Sequence, residues 1–139
     1  MSFQHRMQGI TLLELMVVVV IVAILATIAT ANYRSYMIRT NRTEARTSLL
    51  QIQSAQEKFF LQNNQYTNNI TATPPDGLGL LATTPSGHYT IAIDNYSTVA
   101  YRAVATAAGS QVADIAACRT LTINQNGQRT PADSSGCWK

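Results

Sequence analysis

The sequence predicts an α+β fold: one long N-terminal helix followed by a small antiparallel sheet. Three observations carry this. No proline or glycine interrupts the chain between Ile10 and Pro74. Beyond Gly87 the hydrophobic period changes to two, and the stretch between is crowded with proline and glycine. The apolar half of the helix is expected to protrude, and the amphipathic half to pack on the sheet.

The elements follow in order. Residues 1–9 are short and polar, with His5 and Arg6 as their titratable members. From Ile10 to Ala31 the chain reads ITLLELMVVVVIVAILATIATA, with Glu14 as its one ionisable side chain. Leu15 to Tyr33 carries no charge over 19 residues, enough to span a bilayer core at about 1.5 Å per residue. The β-branched run Val17–Val22 suits a strand in water. In hydrocarbon an isolated segment must satisfy its own backbone hydrogen bonds, and a helix results.

Residues 34–62 continue the helix with a different pattern. Ala45, Leu49, Ile52, Ala55 and Phe59 recur at steps of three and four, which places one apolar stripe along it. A helix of about 50 residues is about 75 Å long, more than a small globule can cover. Residues 63–87 hold Pro74, Pro75, Gly77, Gly79, Pro85 and Gly87 and read as an irregular connecting loop. Alternation then predicts strands at His88–Ile93, Thr98–Thr106 and Arg119–Asn124. Asp94-Asn95 is the expected turn between the first two, and Asn126-Gly127 is a hairpin signal after the third. The division is therefore 1–9 leader, 10–33 membrane or filament-core helix, 34–62 amphipathic helix, and 63–139 loop, sheet and C-terminal region.

Composition narrows the function. Hydrophobic residues make up 46% and charged residues 12%, and the net charge of +3 is too weak by itself to argue for nucleic acid. Two cysteines, Cys118 and Cys137, suit a disulfide in an oxidising compartment; two thiols without a nearby histidine leave a zinc site half filled. No metal or cofactor is expected. No enzyme is expected either: His88 opens a strand, Ser134 and Ser135 have no neighbouring base in the sequence, and the carboxylates are scattered singly.

Three readings compete for residues 1–31: a plain membrane anchor, a secretory signal peptide cut after Ala29-Thr30-Ala31, and a leader cut between Gly9 and Ile10. Glu14 separates them. A carboxylate inside an apolar helix costs about 2.5 kcal/mol or more in a membrane, and neither of the first two readings needs it. A cut after Gly9 creates an amine on Ile10 at a helix start. Among parallel helices that amine can meet Glu14 of a neighbour, so each buried charge finds its opposite and the axial register is set. Arg34, Arg39, Arg42 and Arg46 follow the apolar run. By a positive-inside count alone they would orient that side to the cytoplasm. The leader and the cysteine pair argue for the opposite orientation, with the C-terminal side outside the cytoplasm.

Gly9-Ile10-Thr11-Leu12-Leu13-Glu14 followed by LMVVVVIVAIL resembles the class III signal of type IV pilins and type II secretion pseudopilins. NRTEARTSLLQIQSAQEKFFLQNNQYT resembles the exposed helix and start of the αβ-loop of that family, and CRTLTINQNGQR with a terminal Cys-Trp is similar to the C-terminal region of PilE-type minor pilins. The resemblance implies the type IV pilin fold and no catalytic residues. It also implies cleavage after Gly9 by a prepilin peptidase, methylation of Ile10, assembly through Glu14, and a Cys118–Cys137 bridge bounding the C-terminal region. The implied partners are other pilin subunits, the peptidase and the inner-membrane assembly machinery. The implied location is the bacterial inner membrane, with the head in the periplasm, and then a pilus on the cell surface. Three departures stand out: Ile10 replaces the usual phenylalanine, Met7-Gln8 separates Arg6 from the glycine, and Ala23 and Ala31 occupy positions where many relatives have glycine and proline. Without those breakers a straighter, more continuous helix is expected.

The leading reading is a structural pilus subunit, minor or priming rather than major. The rivals are a competence-type pilin that binds DNA, and a secretion pseudopilin. For DNA the candidate contacts are Arg39, Arg42, Arg46, Arg119, Arg129 and Lys139, which serve equally as contacts to neighbouring subunits. Mass spectrometry of the mature chain should find an N-terminus at methylated Ile10; a start at Asn32 would exclude assembly through the helix.

Overall fold

The structure, a computed structural model, describes residues 9–139. The order is helix α1 (Leu12–Asn63), then strands β1 (Tyr89–Asp94), β2 (Arg102–Ala107), β3 (Thr120–Asn124) and β4 (Arg129–Thr130). The strands form one antiparallel sheet in the order β1-β2-β3-β4. The chain divides into two compact units between Tyr36 and Met37, within α1.

In the first unit the backbone is helical from Leu12 onward and passes through positions 23 and 31 without a break. The side chains from Leu12 to Val22 are exposed, as an all-round apolar helix requires when no membrane or neighbour surrounds it. Thr27 and Thr30 donate their hydroxyls to the carbonyls of Ile24 and Thr27, at 2.7 and 3.0 Å, so these polar side chains satisfy themselves within the helix.

The second unit holds the buried core. Ala45, Leu49, Ile52 and Phe59 are buried along α1, with Ala55 packed beside them. They belong to one cluster with Tyr89 and Ile91 of β1, Ala103 and Ala105 of β2, and Leu121 and Ile123 of β3. Register explains why these strand positions act together: Ile91 faces Ala105, which in turn faces Leu121. Strand side chains alternate between faces, so the intervening Thr90, Ala92 and Thr106 are exposed. Full burial of Leu49 or Ile52 contributes about 2 kcal/mol each.

Residues 64–88 are more ordered than an irregular loop. Asn64 ends the helix in the left-handed region (φ 53°), and its N–H bonds the Phe60 carbonyl at 2.8 Å. Gln56, fully buried on α1, accepts from the Thr67 N–H (3.1 Å) and donates to the Thr67 carbonyl (2.5 Å). Tyr66 lies between Phe60 and Tyr101, tilted against both rings, with centroids 4.7 and 4.8 Å away. Gly77 is required sterically, because a Cβ there would lie 2.6 Å from the Ala72 carbonyl oxygen. The segment then runs along β1: Ile91 N–H bonds Ala82 O (2.7 Å) and Thr84 N–H bonds Tyr89 O (2.9 Å). The outer edge of the sheet is thereby covered.

The strands begin later than alternation predicts. β2 starts at Arg102 rather than Thr98, because Ser97 takes the preceding residues into a turn: its Oγ accepts from the N–H groups of Val99 (3.3 Å) and Ala100 (3.1 Å). The β1–β2 connection is therefore longer than a two-residue Asp94-Asn95 turn. β1 and β3 begin at Tyr89 and Thr120, one residue after the expected starts. Asn126-Gly127 does make a hairpin, with Gly127 at φ 72° and its N–H on Asn124 O at 2.9 Å, leading into the short β4. Asp94 and Arg102 face each other across β1 and β2 with two 2.7 Å bonds. The guanidinium holds the Asp94 carboxyl below its usual range. The pair's small contribution is therefore present above the ordinary carboxylate pKa and fades as pH falls through the lowered value.

Candidate functional site

Two places carry candidate residues, one in each unit. In the first, Gly9 and Ile10 are exposed and precede the helix; the other leader residues, 1–8, lie outside the described residues. Thr11 is the N-cap. Its Oγ1 accepts from the Glu14 N–H at 3.2 Å, which satisfies one of the orphan donors of the first turn. Glu14 is the acidic residue of that first turn, and its negative charge faces the positive end of the helix dipole. The Thr-x-x-Glu spacing was a readable capping signal that the apolar run overshadowed. Between Leu12 and Tyr33 Glu14 is the single ionisable carboxylate, exposed on an otherwise apolar helix. This segment is long and apolar enough to cross a membrane.

The second place lies where the C-terminal region meets α1. Cys118 and Cys137 are bonded, 5.3 Å between Cα atoms, and both are fully buried. Five of the six predicted basic residues take part in contacts in this second unit. Arg42 grips Asp114 with both arms, Nε to Oδ2 at 2.7 Å and Nη2 to Oδ1 at 2.5 Å. That bond raises the Arg42 pKa further, against the opposing effect of burial. Arg119 Nε donates to the Asp114 carbonyl at 3.0 Å. Arg46 donates to the Lys139 carbonyl and to Thr43 Oγ1. Burial and the neighbouring Arg42 push its pKa down, although a guanidinium stays charged in any case. The Arg129 guanidinium lies over Trp138, 5.2 Å from the ring centroid. Arg39 is exposed on α1, one turn before Arg42.

The predicted basic residues therefore divide by burial. Arg42 and Arg46 are half-buried, whereas Arg39, Arg119, Arg129 and Lys139 are exposed, Arg119 and Arg129 while held by the Asp114 carbonyl and Trp138. Behind them lies a buried network absent from the sequence reading. Gln111 is fully buried. It accepts from Asn41 Nδ2 (3.0 Å) and donates to the Ile38 carbonyl (3.1 Å), the Tyr89 hydroxyl (3.2 Å) and Asp114 Oδ2 (3.2 Å). No sequence signal announces it, because its members stand up to 73 residues apart. Among the described residues no group of three or more His, Cys, Asp or Glu could hold a metal ion.

The chain is similar to known proteins over both of its parts. Residues 4–30 match the family model described as the prokaryotic N-terminal methylation motif. Residues 31–122 match a second, described as type IV minor pilin ComP, DNA uptake sequence receptor. The chain is 40% identical over 78 residues to the type IV major pilin protein PilA of Myxococcus xanthus, covering 54% of this chain and 36% of that protein. The matched part is thus about a third of that relative's length. A solved type IV pilin from Shewanella oneidensis shares the fold with a TM-score of 0.55, at 22% identity over 73% of this chain and 98% of that one.

Asp114→Ala should destabilise the second unit by about 3 kcal/mol, since it leaves the half-buried Arg42 unpaired and removes a partner of Gln111. Urea unfolding of residues 37–139, which contain the whole buried core, measures it.

Proposed function

The chain belongs to the type IV pilins, and we propose that it serves as a pilus subunit of the minor kind, processed at Gly9 and assembled through its N-terminal helix. The observation that carries this is Glu14, the one carboxylate on the apolar helix, set one turn from Ile10. A cut after Gly9 leaves a positive amine on Ile10, and N-methylation keeps that charge. When residues 10–33 of neighbouring copies pack side by side, the amine of one meets Glu14 of the next. Each charge loses water on entering the bundle, and only the paired register offsets that cost. The apolar side chains from Leu12 to Val22, exposed in the single chain, supply the surface that packing covers.

Before assembly the same segment anchors the chain in a membrane. A prepilin peptidase and the inner-membrane assembly machinery are the proposed partners at this stage, with the second unit in the periplasm, where the Cys118–Cys137 bridge is stable. The subunit's role is structural, not enzymatic.

A second reading, contact with DNA, is favoured by the match of residues 31–122 to the ComP model together with the gathered cations. Arg39, Arg119, Arg129 and Lys139 are the exposed candidates for phosphate contact. Arg42 and Arg46 are better assigned to holding the C-terminal region in place.

Glu14→Ala is expected to reduce surface filaments at least tenfold, while the chain still reaches the membrane with its disulfide formed. Wild-type filament yield from this variant would remove the pairing role. For the second reading, DNA binding by residues 37–139 across a salt series should weaken as salt rises, and Arg119→Ala should lower the slope by about one. Absent or salt-independent binding would eliminate it.

A further inference from the structure

An open cleft runs between α1 and the segment that covers β1. One part of it lies between Ser48, Gln51 and Ile52 of the helix and Leu81, Thr83 and Pro85 of the segment. A second part shares Ser48, Gln51 and Pro85 and extends to Glu44. The two parts hold about 210 and 220 Å³, room for the side chains of a short segment and too little for a folded domain. From Glu44 to Ile52 the helix rises about 12 Å, the length of roughly four extended residues.

The backbone of the segment makes the cleft a sheet edge. Ala82 O accepts from the Ile91 N–H and the Thr84 N–H donates to Tyr89 O, so Ala82 and Thr84 turn these peptide groups toward β1. The residue between them in an extended segment turns its groups the other way. Thr83, bridged to Thr90, therefore directs its N–H and carbonyl away from β1, and neither has a partner among the described residues. Leu81, 67% exposed, lines the same cleft. Glu44 adds a charge. Its Oε2 accepts from the Ser86 N–H (3.2 Å) and hydroxyl (2.6 Å), which fixes the carboxylate near the Pro85 end. It is half-buried and forms no ion pair among the described residues.

We propose that this cleft takes an extended peptide segment of another protein, added as a strand outside Thr83 and carrying a lysine or arginine that pairs with Glu44. Backbone bonds to Thr83 require an extended chain, an apolar side chain of the segment covers Leu81, and the carboxylate selects a cation. A second copy of this chain is a poor source of the strand. The outer strand on the other side of its sheet, β4, has two residues and runs into Pro131, and Arg129 of that strand is held over Trp138. The edge is short and bounded by Pro85, which has no N–H, so the contact is weak and reversible. It uses the second unit alone and does not depend on the filament reading.

Panning a random linear heptapeptide library against the full chain in detergent tests this. Enriched peptides should carry a lysine or arginine among β-branched residues, and should shift the Leu81 and Thr83 amide signals of the isotope-labelled chain. Thr83→Pro removes the outward N–H without removing either bond to β1, and should weaken enriched peptides at least tenfold; unchanged protection of the Thr84 and Ile91 amides shows that the fold survives. Glu44→Gln can still accept from Ser86, and should abolish the preference for a basic peptide over the same peptide with glutamine in place of its cation. No enriched peptide, or peptides whose binding either change leaves unaltered, would overturn the proposal. Shifts at Thr83 that grow with the concentration of the chain alone would assign the cleft to a second copy and overturn it as well.

Discussion

The packing of the α1 stripe on the inner face of the sheet is the contact on which the second unit depends. Ala45, Leu49, Ile52 and Phe59 come round at helical spacing, and Tyr89, Ile91, Ala103, Ala105, Leu121 and Ile123 come round at strand spacing. Neither set can be buried without the other. A sheet of three short strands and a two-residue fourth is marginal in water, and the helix supplies the apolar surface that stabilises it. The same helix, earlier in its course, carries apolar residues that are exposed. One element thus combines a one-sided apolar stripe that is buried and an all-round apolar surface that is exposed.

The polar side chains around that contact act as clamps. Gln56 holds Thr67 at the start of the loop, and Gln111 holds the turn after β2 to Ile38 and Asn41. Both amides are fully buried, so leaving either unpaired would cost about 1–3 kcal/mol, which specifies where each segment sits. Arg42 and Asp114 extend the second clamp to the region bounded by the disulfide. The bridge adds a constraint of its own: closing a loop of 19 residues removes unfolded-state entropy worth about 3 kcal/mol on the loop-closure model. The bridge, Arg42 and Arg46 together tie the segment that carries Arg119, Arg129 and Lys139 to α1.

Much of this fold was legible in the residues. The helix was plain from a run without proline or glycine, and its buried face from the Ala45-to-Phe59 spacing. Three strands were visible from alternation, although Thr98–Tyr101 alternates as well as a strand does and is instead bent by Ser97. The short β4 carries too few residues to show any period. At the candidate site the apolar run and Glu14 were readable, as was the list of cations. Their division into half-buried and exposed groups was not, because Arg42 is held by Asp114 and Arg46 by the Lys139 carbonyl, partners distant in sequence that carry no motif.

By itself, then, the sequence determined the local preferences: an apolar helix with one carboxylate, an amphipathic continuation, alternating strands, and a cysteine pair. These follow from period and composition, which are properties of neighbouring residues. The tertiary structure alone decided which polar groups meet. Gln111 reaches Ile38 across 73 positions, and Arg42 reaches Asp114 across 72. Such pairings arise when packing the core brings distant segments into a low-dielectric interior, where a buried donor or charge must find a partner. That requirement, rather than any pattern in the chain, turned two of the six predicted cations inward and left four on the surface.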